Sequence, residues 1–585
     1  MKQFNKEFLK DTWELIKPYW QSEEKKIAWF LLIIIIFLNL FLVFINVLIN
    51  LWYNEFYNAL QDLNAKAFWI AIIQFCVLAF LYIIAAVYSL YLNQMLQIKW
   101  RKWLTDRFLK KWLNKKIYYH LQVFNNSTDN PDQRISEDLN LFVSQTLSLS
   151  LGLLSSVVTL ASFVGILWTI SGSISFEIFG NEIIIPGYMV WAAILYAILG
   201  TWITAAIGKP LINLNFKQQM YEANFRFNMV RIRENSESVA LYGGEKNEHK
   251  HLMVNFFDVF ENYWKIMVRQ KMLGWFTSGY NQIAIIFPIL VASPRFFARE
   301  IQLGALMQIA QAFGQVQSSL SYIVNSYPSL ANWHAVADRL RTFEHNISFI
   351  EDLQQKNNRI IIKESENLMV ENLSIFLPDN KTPLINQLNL SLNKSERLLV
   401  VGSSGIGKST LIRTLAGLWP FGEGKIFLPP KEKLLFLPQK PYLPIGSLKD
   451  VLIYPNGDPD VSDDEIKDLL ISLNLKHLVN HISEVNMWSQ ILSLGEQQYL
   501  AFGRILLQRP EWIFMDEATS ALDEKSERIL YFRLKDELSN SAVISVGHRS
   551  SLLSYHEKKL IILGEGKWSI DRIGYVNLEK SLINE

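Results

Sequence analysis

Long apolar runs separated by short polar breaks fill the first 345 positions of the chain, whereas beyond Glu351 the runs shrink to strand length and alternate with helix-like segments. Ile27 to Leu51 is almost unbroken Leu, Ile, Phe and Val, enough for a helix to cross the roughly 30 Å hydrocarbon layer of a bilayer. Similar runs at Ala67–Leu96, Leu141–Ile170, Ile184–Ile207, Leu273–Ala292 and Leu303–Pro328 predict six spans in all, the last being the least apolar. Ahead of them, Phe8, Leu9, Trp13, Ile16 and Trp20 recur at helical spacing, as in a helix lying along the membrane interface. No small-residue cleavage site follows, so this is no signal peptide. The expected division is an amphipathic elbow over 1–26, a helical transmembrane domain over 27–345, a linker over 346–360 and a soluble α/β domain over 361–585.

Composition agrees with that division. Half of the 585 residues are hydrophobic, with 18 Trp and 36 Phe, which is rich for a soluble protein. The lone cysteine, Cys76, sits in an apolar run and excludes both a disulfide framework and a cysteine metal site. The net charge of +2 matters less than its distribution. Lys25 and Lys26 precede the first span, and Lys99, Arg101, Lys102, Arg107, Lys110, Lys111, Lys115 and Lys116 follow the second, while Trp52–Lys66 is close to neutral. Short segments rich in Lys and Arg stay cytoplasmic, which places both chain ends and the soluble domain inside. Basic residues beside a span read as this topology signal and not as a nucleic-acid surface, so no nucleic-acid partner is expected.

The inner connections, about Lys99–Asn140 and Lys209–Met272, keep helical spacing and extend the spans inward, with turns at Asn125–Gln133 and Gly243-Gly244. Such turns are either docking points for the soluble domain or solvated bends. Within the spans, Gln308, Gln311, Gln315, Ser318, Ser319, Tyr322, Asn325 and Ser326 fall on one helix face, as do Asn39, Asn46, Asn50 and Asn54. These amides and hydroxyls either bond one helix to another or line a wet path for a hydrophilic solute.

The soluble domain opens its chemistry with Gly402-Ser403-Ser404-Gly405-Ile406-Gly407-Lys408-Ser409, between the apolar Leu398–Val401 and a helix beginning near Thr410. Glycines there let successive backbone N–H groups face an anion, and the helix N-terminus adds positive charge. Lys408 is placed to reach β- and γ-phosphates and the Ser409 hydroxyl to ligate Mg2+. Downstream, Trp512–Met515 reads as a buried strand that delivers Asp516 and Glu517. One acid suits the metal and the other an attacking water, which makes Glu517 the candidate base. Gln439 ends another strand with an amide that can ligate a metal and bond a water. His548 follows Ala542–Gly547, where an imidazole can meet a γ-phosphate. Leu492–Gln497 opens a helix with a serine hydroxyl and a glycine N–H.

In this order, the phosphate loop, Gln439, Ser493-Leu494-Gly495-Glu496-Gln497, Asp516-Glu517, Ser520–Asp523 and His548 resemble the ATP-binding cassette of ABC transporters. That resemblance implies ATP and Mg2+ as cofactors. It also makes Ser493, Gly495, Glu496 and Gln497 a signature motif that closes over the nucleotide of the opposite subunit, with Ser520–Asp523 joining the two sites. Asn130–Ile135, Glu234–Gly243 and Pro294–Gly304 look like segments of family D half-transporters, which include peroxisomal acyl-CoA transporters and bacterial BacA/SbmA-like transporters of peptides and cobalamin. Leu494 replaces the glycine of most signatures, as family D cassettes often do, and Leu377 stands where many cassettes stack an aromatic on adenine. The fold implied is an ABC exporter-like bundle of six helices fused to an α/β cassette. With one phosphate loop and one signature, the working unit implied is a homodimer. The function implied is an ATPase that moves a large hydrophilic solute, peptide or cobalamin-like, across a bacterial inner membrane in contact with its lipid. The alternatives are an acyl-CoA or long-chain fatty acid carrier and a membrane ATPase that regulates a partner.

Overall fold

The computed structural model describes residues 6–124, 131–178, 181–356, 359–379, 382–455 and 460–573. They form two compact units: Met1–Lys111 with Asp129–His345, and Trp112–Thr128 with Asn346–Glu585.

In the first unit the spans are Lys25–Gln61, Ala65–Leu113, Leu139–Ser171, Tyr188–Glu234, Glu245–Phe297 and Leu303–Asn325. The first five contain stretches long and apolar enough to cross a membrane. The sixth, at 23 residues, has the length, and its amides and hydroxyls lower its apolarity. Large apolar side chains such as Ile33, Phe37, Phe80 and Trp202 lie on the outer surface of the helices, the arrangement a lipid solvent favours. The second and fourth spans run on as helix at their C-terminal ends and the fifth at its N-terminal end, and Gly243 makes the left-handed turn (φ 61°) between Ser236–Tyr242 and Glu245. Positions 125–130 of the other expected turn lie outside the described residues.

Three expectations need correction. Ile184–Pro186 does not begin the fourth span; it lies in strand β2 (Asn181–Pro186), antiparallel to β1 (Ser173–Ile178), with Ser173 opposite Pro186. Three consecutive isoleucines favour extended backbone, and Pro186 followed by Gly187 at φ 60° delays the helix to Tyr188. The sixth span stops at Asn325, short of Pro328, and a new helix, Tyr327–Lys356, crosses the region read as the start of a linker. On the elbow helix Lys6–Trp20, the buried positions are Phe8, Thr12, Leu15 and Tyr19, while Trp13 is exposed. Phe8 stacks on His334 at 4.1 Å and Tyr19 on Trp100 at 5.5 Å, so one face of this helix packs on protein rings while Trp13 stays outside.

The second unit is built on a six-stranded sheet. Its strands are β6 (Arg397–Val401), β8 (Leu434–Leu437), β9 (Trp512–Asp516), β10 (Ala542–Val546), β11 (Lys558–Gly564) and β12 (Lys567–Arg572), in the order β12-β11-β6-β10-β9-β8. From β11 through β8 the strands are parallel, with β10 between β6 and β9. Leu398–Val400, Ile513–Met515 and Val543–Val546 are all buried, as parallel strands covered on both faces require. A second sheet, in the order β3-β7-β4-β5, comprises β3 (Ile360–Glu364), β4 (Leu368–Phe376), β5 (Pro383–Leu392) and β7 (Gly422–Leu428).

The segment Trp112–Thr128 belongs to this unit although it comes from the inner connection after the second span. Its helix Ile117–Phe124 buries Ile117, His120 and Leu121. Phe124 lies 5.0 Å from Phe421, and Lys116 donates to the carbonyl of Ala416 at 2.8 Å. The helix Ile117–Phe124 thus packs as part of this unit, ahead of the expected turn at Asn125–Gln133.

Candidate functional site

Three neighbouring parallel strands, β8, β9 and β10, lead at their carboxyl ends to Gln439, Asp516-Glu517 and His548, the edge where ligands bind in open α/β sheets. Gln439 Nε2 donates to Glu517 Oε2 at 3.0 Å, and His548 Nε2 lies 3.1 Å from Glu517 Oε1. The Glu517 carboxylate is thus fixed at both oxygens. Its backbone sits in the left-handed region at φ 51°, an unfavourable place for a non-glycine residue of the kind found at functional sites.

Next to it, β6 delivers the loop Gly402–Gly407 and the helix Lys408–Leu415, with Thr410 in the first turn. Gly407 has φ 110°, and a Cβ there would meet Leu384 at 3.3 Å, so glycine suits both the turn and the space. Lys408 is buried and donates to the carbonyls of Gly402 and Ser403, each at 2.9 Å. Burial pushes its ammonium below the usual range, against the opposing pull of Glu517 and Asp516. Ser409 donates to Asp516 Oδ1 at 2.8 Å. Burial raises the Asp516 carboxyl, the Ser409 bond opposes this, and the charge of Glu517 adds to it. The site therefore gathers two adjacent acids, a hydroxyl and an amide around a lysine and a backbone anion cradle, all hard-oxygen or anion-binding groups.

The region around Ser493 is arranged differently. Ser493 caps the helix Leu494–Gln508 in a reciprocal box: the Glu496 carboxylate accepts from Ser493 N at 2.9 Å and from Ser493 Oγ at 2.8 Å. Burial alone would raise Glu496, but the bonds from Ser493 and the contact with His477 hold it below the usual carboxylate range. Gln497 turns inward and donates to the carbonyls of Ser489 and Leu492, so its amide closes the preceding turn. Among the described residues, the side-chain bonds of Ser493 go only to Glu496.

Two residues that the sequence did not single out, Gln498 and Glu527, are buried behind the acids and bonded to the surrounding loops. A polar residue at a core-facing helical position was their only signal. Leu377 is partly exposed, while the neighbouring Phe376 accepts from Trp419 Nε1 at 2.9 Å through its carbonyl.

In the membrane unit the polar stripe divides in two. Toward the end of the first span, Asn50 donates to the Gln308 carbonyl at 3.0 Å and to Gln311 Oε1, and Asn54 donates to Gln308 Oε1 at 2.7 Å. Asn58 accepts from Gly304 N at 2.8 Å and Gln61 from Leu303 N at 2.7 Å, completing a ladder between the first and sixth spans. Asn39, Asn46, Gln315, Ser318 and Ser319 of the stripe line a cavity of about 270 Å³, while Tyr322 donates to the carbonyl of Leu149 at 3.2 Å. The stripe is joined at the cavity by Tyr82 and by Ser155, Ser156 and Thr159 of the third span. That trio at short helical spacing was the signal available in the sequence. Among the described residues, none that lines the cavity carries a formal charge.

Residues 15–297 match the model of ABC transporter transmembrane region 2, and residues 385–520 match that of the ABC transporter cassette. The inner membrane ABC transporter ATP-binding protein YddA of Escherichia coli is 36% identical over 92% of this chain and 94% of that protein. The human lysosomal cobalamin transporter ABCD4 is 29% identical over 82% of each. A bacterial Atm1-family ABC exporter with ATP bound superposes with a TM-score of 0.70 at 17% identity, covering 92% of this chain and 93% of that one, a likeness of fold. The chain belongs to the ABC transporters, as a membrane-spanning half-transporter whose ATPase is coupled to transport, with relatives among the D family and the bacterial YddA-like proteins.

Proposed function

We propose that two copies of this chain form an ATP-driven transporter of a large hydrophilic solute, peptide or cobalamin-like, in a bacterial inner membrane with both termini inside. The observation that carries the solute class is the uncharged cavity of amides and hydroxyls between the first, second, third and sixth spans. Such a wall offers hydrogen bonds in both directions and selects no ionic group, which suits an amide-rich cargo. The similarity to a cobalamin transporter supports this reading. A larger groove of about 500 Å³, bordered by Ile70, Ile73 and Val77 on the outer face of the second span, is mainly apolar, with Glu55 and Gln74 as its polar residues, and suits membrane lipid in place of cargo.

Replacing Gln315 and Ser319 together with leucine is expected to reduce solute transport about tenfold or more while leaving folding and basal ATPase intact. Gln311→Leu, which breaks a bond to Asn50, is expected to act mainly on thermal stability. Transport assays in proteoliposomes, read beside melting curves, separate the two. Normal transport by the Gln315, Ser319 variant would remove the support for a hydrophilic path.

In the proposed cycle Lys408 and the loop Gly402–Thr410 hold the ATP phosphates, and Glu517 accepts a proton from the attacking water. His548 and Gln439 keep that carboxylate in place and orient it. Ser409, Asp516 and Gln439, whose amide nitrogen is engaged with Glu517 and whose side-chain oxygen accepts no hydrogen bond among the described residues, form a hard-oxygen set that fits Mg2+. When bound, that ion would offset charge on the phosphates. Ser493, Gly495, Glu496 and Gln497 are proposed to shape the helix end that meets the partner's nucleotide, Ser493 and Gly495 by contact and the other two by holding the turn. Leu241 and Tyr242, bare at the tip of the second inner connection, are proposed to be covered by the second copy.

With Leu377 offering no aromatic face, the phosphates supply most of the affinity, and GTP is expected to be hydrolysed with a kcat/KM within about tenfold of ATP. Leu377→Tyr is expected to lower the KM for ATP about five- to tenfold, since stacking a base on a ring contributes roughly 1–3 kcal/mol. Steady-state kinetics with both nucleotides test this, and an unchanged KM in the variant would place the base elsewhere.

A further inference from the structure

Behind the two acids, a pair of buried polar side chains ties the nucleotide-site loops together. Gln498, fully buried in the helix Leu494–Gln508, donates from Nε2 to the carbonyl of Gln439 at 3.0 Å and to Ser520 Oγ at 3.3 Å. Its Oε1 accepts from Ala521 N at 3.0 Å. One amide therefore joins the backbone under Gln439 to the loop Ser520–Asp523, using a donor and an acceptor that no single-function side chain supplies together. Glu527, 2% exposed in the helix Glu524–Glu537, accepts from Thr519 Oγ1 at 2.5 Å and Ser551 Oγ at 3.1 Å, with Arg549 Nη1 at 3.6 Å. Arg549 in turn reaches the carbonyl of Ser520 at 3.4 Å.

These contacts run beneath each group on the Glu517 carboxylate. Gln498 holds the main chain of Gln439, Glu527 holds Thr519 two residues beyond Glu517, and Arg549 adjoins His548. Neither Gln498 nor Glu527 faces the phosphate loop. A buried carboxylate is costly unless fully bonded, and this one is held by three partners from two loops, which indicates a site kept for geometry.

We infer that Gln498 and Glu527 are positioning residues for hydrolysis: they set Gln439, Glu517 and His548 relative to one another and transmit movement at Gln439 into the Ser520–Asp523 loop. A shift of about 1 Å in a catalytic group is enough to cost roughly 100-fold in rate. Removing either bond set should therefore act on turnover and spare nucleotide affinity.

The test uses the full-length protein in lipid nanodiscs. Gln498→Met, similar in length and without hydrogen bonds, is expected to lower kcat about thirtyfold with KM for ATP, ATP affinity and melting temperature nearly unchanged. Gln498→Glu keeps the acceptor for Ala521 and loses both donors. Its rate relative to the parent is expected to rise as pH falls, because the protonated carboxyl can again donate to Gln439. A kcat within about threefold of the parent for Gln498→Met, or a kcat, KM and melting temperature that decline in step, would overturn the inference and leave Gln498 as packing. Should Gln498→Met fail to fold, Glu527→Gln decides, since it retains an acceptor for Thr519 and loses the charge facing Arg549. It is expected to lower kcat about tenfold without changing KM, and a parental kcat would count against the proposal.

Discussion

Glu517→Gln is expected to reduce ATP turnover about a thousandfold, within the roughly 10²–10⁴ range that a positioned general base contributes, while ATP still binds with parental affinity. The amide keeps the shape of the carboxylate and can still accept from Gln439 Nε2, which now stands at 3.0 Å, but it cannot take a proton from water. Asp516→Asn is expected to differ in kind: it weakens the oxygen set beside Ser409, so nucleotide binding in the presence of magnesium declines as well. Phosphate release together with equilibrium ATP binding distinguishes the two. Turnover of the Glu517 variant within about threefold of the parent would assign the proton to another group.

Mixed dimers should give an all-or-none result. Ser493 bonds its own Glu496 and makes no described contact with the Lys408 loop of its chain, in keeping with a composite site that takes Lys408 from one copy and Ser493 from the other. With Lys408→Ala in one chain and Ser493→Arg in its partner, both changes then fall in the same site, and the other site remains whole. With both changes in one chain, each site loses one member and neither is whole. Counted as ATP occluded per dimer in a Glu517→Gln background, one nucleotide is expected in the first case and none in the second. The reverse pattern would place both residues in the site of a single chain.

The shape of the loops proposed to hold nucleotide was legible in the sequence: a glycine-bearing turn after an apolar strand, and acids delivered at a strand end, are visible as residue order. What the chain order could not convey is which face of an element meets protein. Ile184–Pro186 has the apolarity of a span and the backbone preference of a strand, and only pairing with Ser173–Ile178 decides between them. The elbow followed the same logic, since Trp13 and Tyr19 are equally apolar by type, yet the ring of Trp100 buries one and leaves the other out. Along the sixth span, Gln311 and Gln315 are one helical turn apart and look alike in the sequence, but one bonds Asn50 and the other borders a cavity. Gln498 and Glu527 were invisible for a simpler reason. A polar side chain in a helix declares itself as buried only when its three-dimensional neighbours are known.

The compact unit that holds the cassette is interrupted in sequence, because Trp112–Thr128 groups with it and not with the rest of the membrane unit. A fragment beginning at residue 346 would therefore lack part of its own interior and leave the ring of Phe421 without Phe124. Exchanging cassettes among relatives at the apparent boundary would create the same mismatch in an otherwise intact protein. Grafts that carry the Ile117–Phe124 helix along with its cassette respect the boundary that the packing draws, so inheritance within this lineage should couple changes at Phe124 to changes at Phe421 across some three hundred positions of sequence.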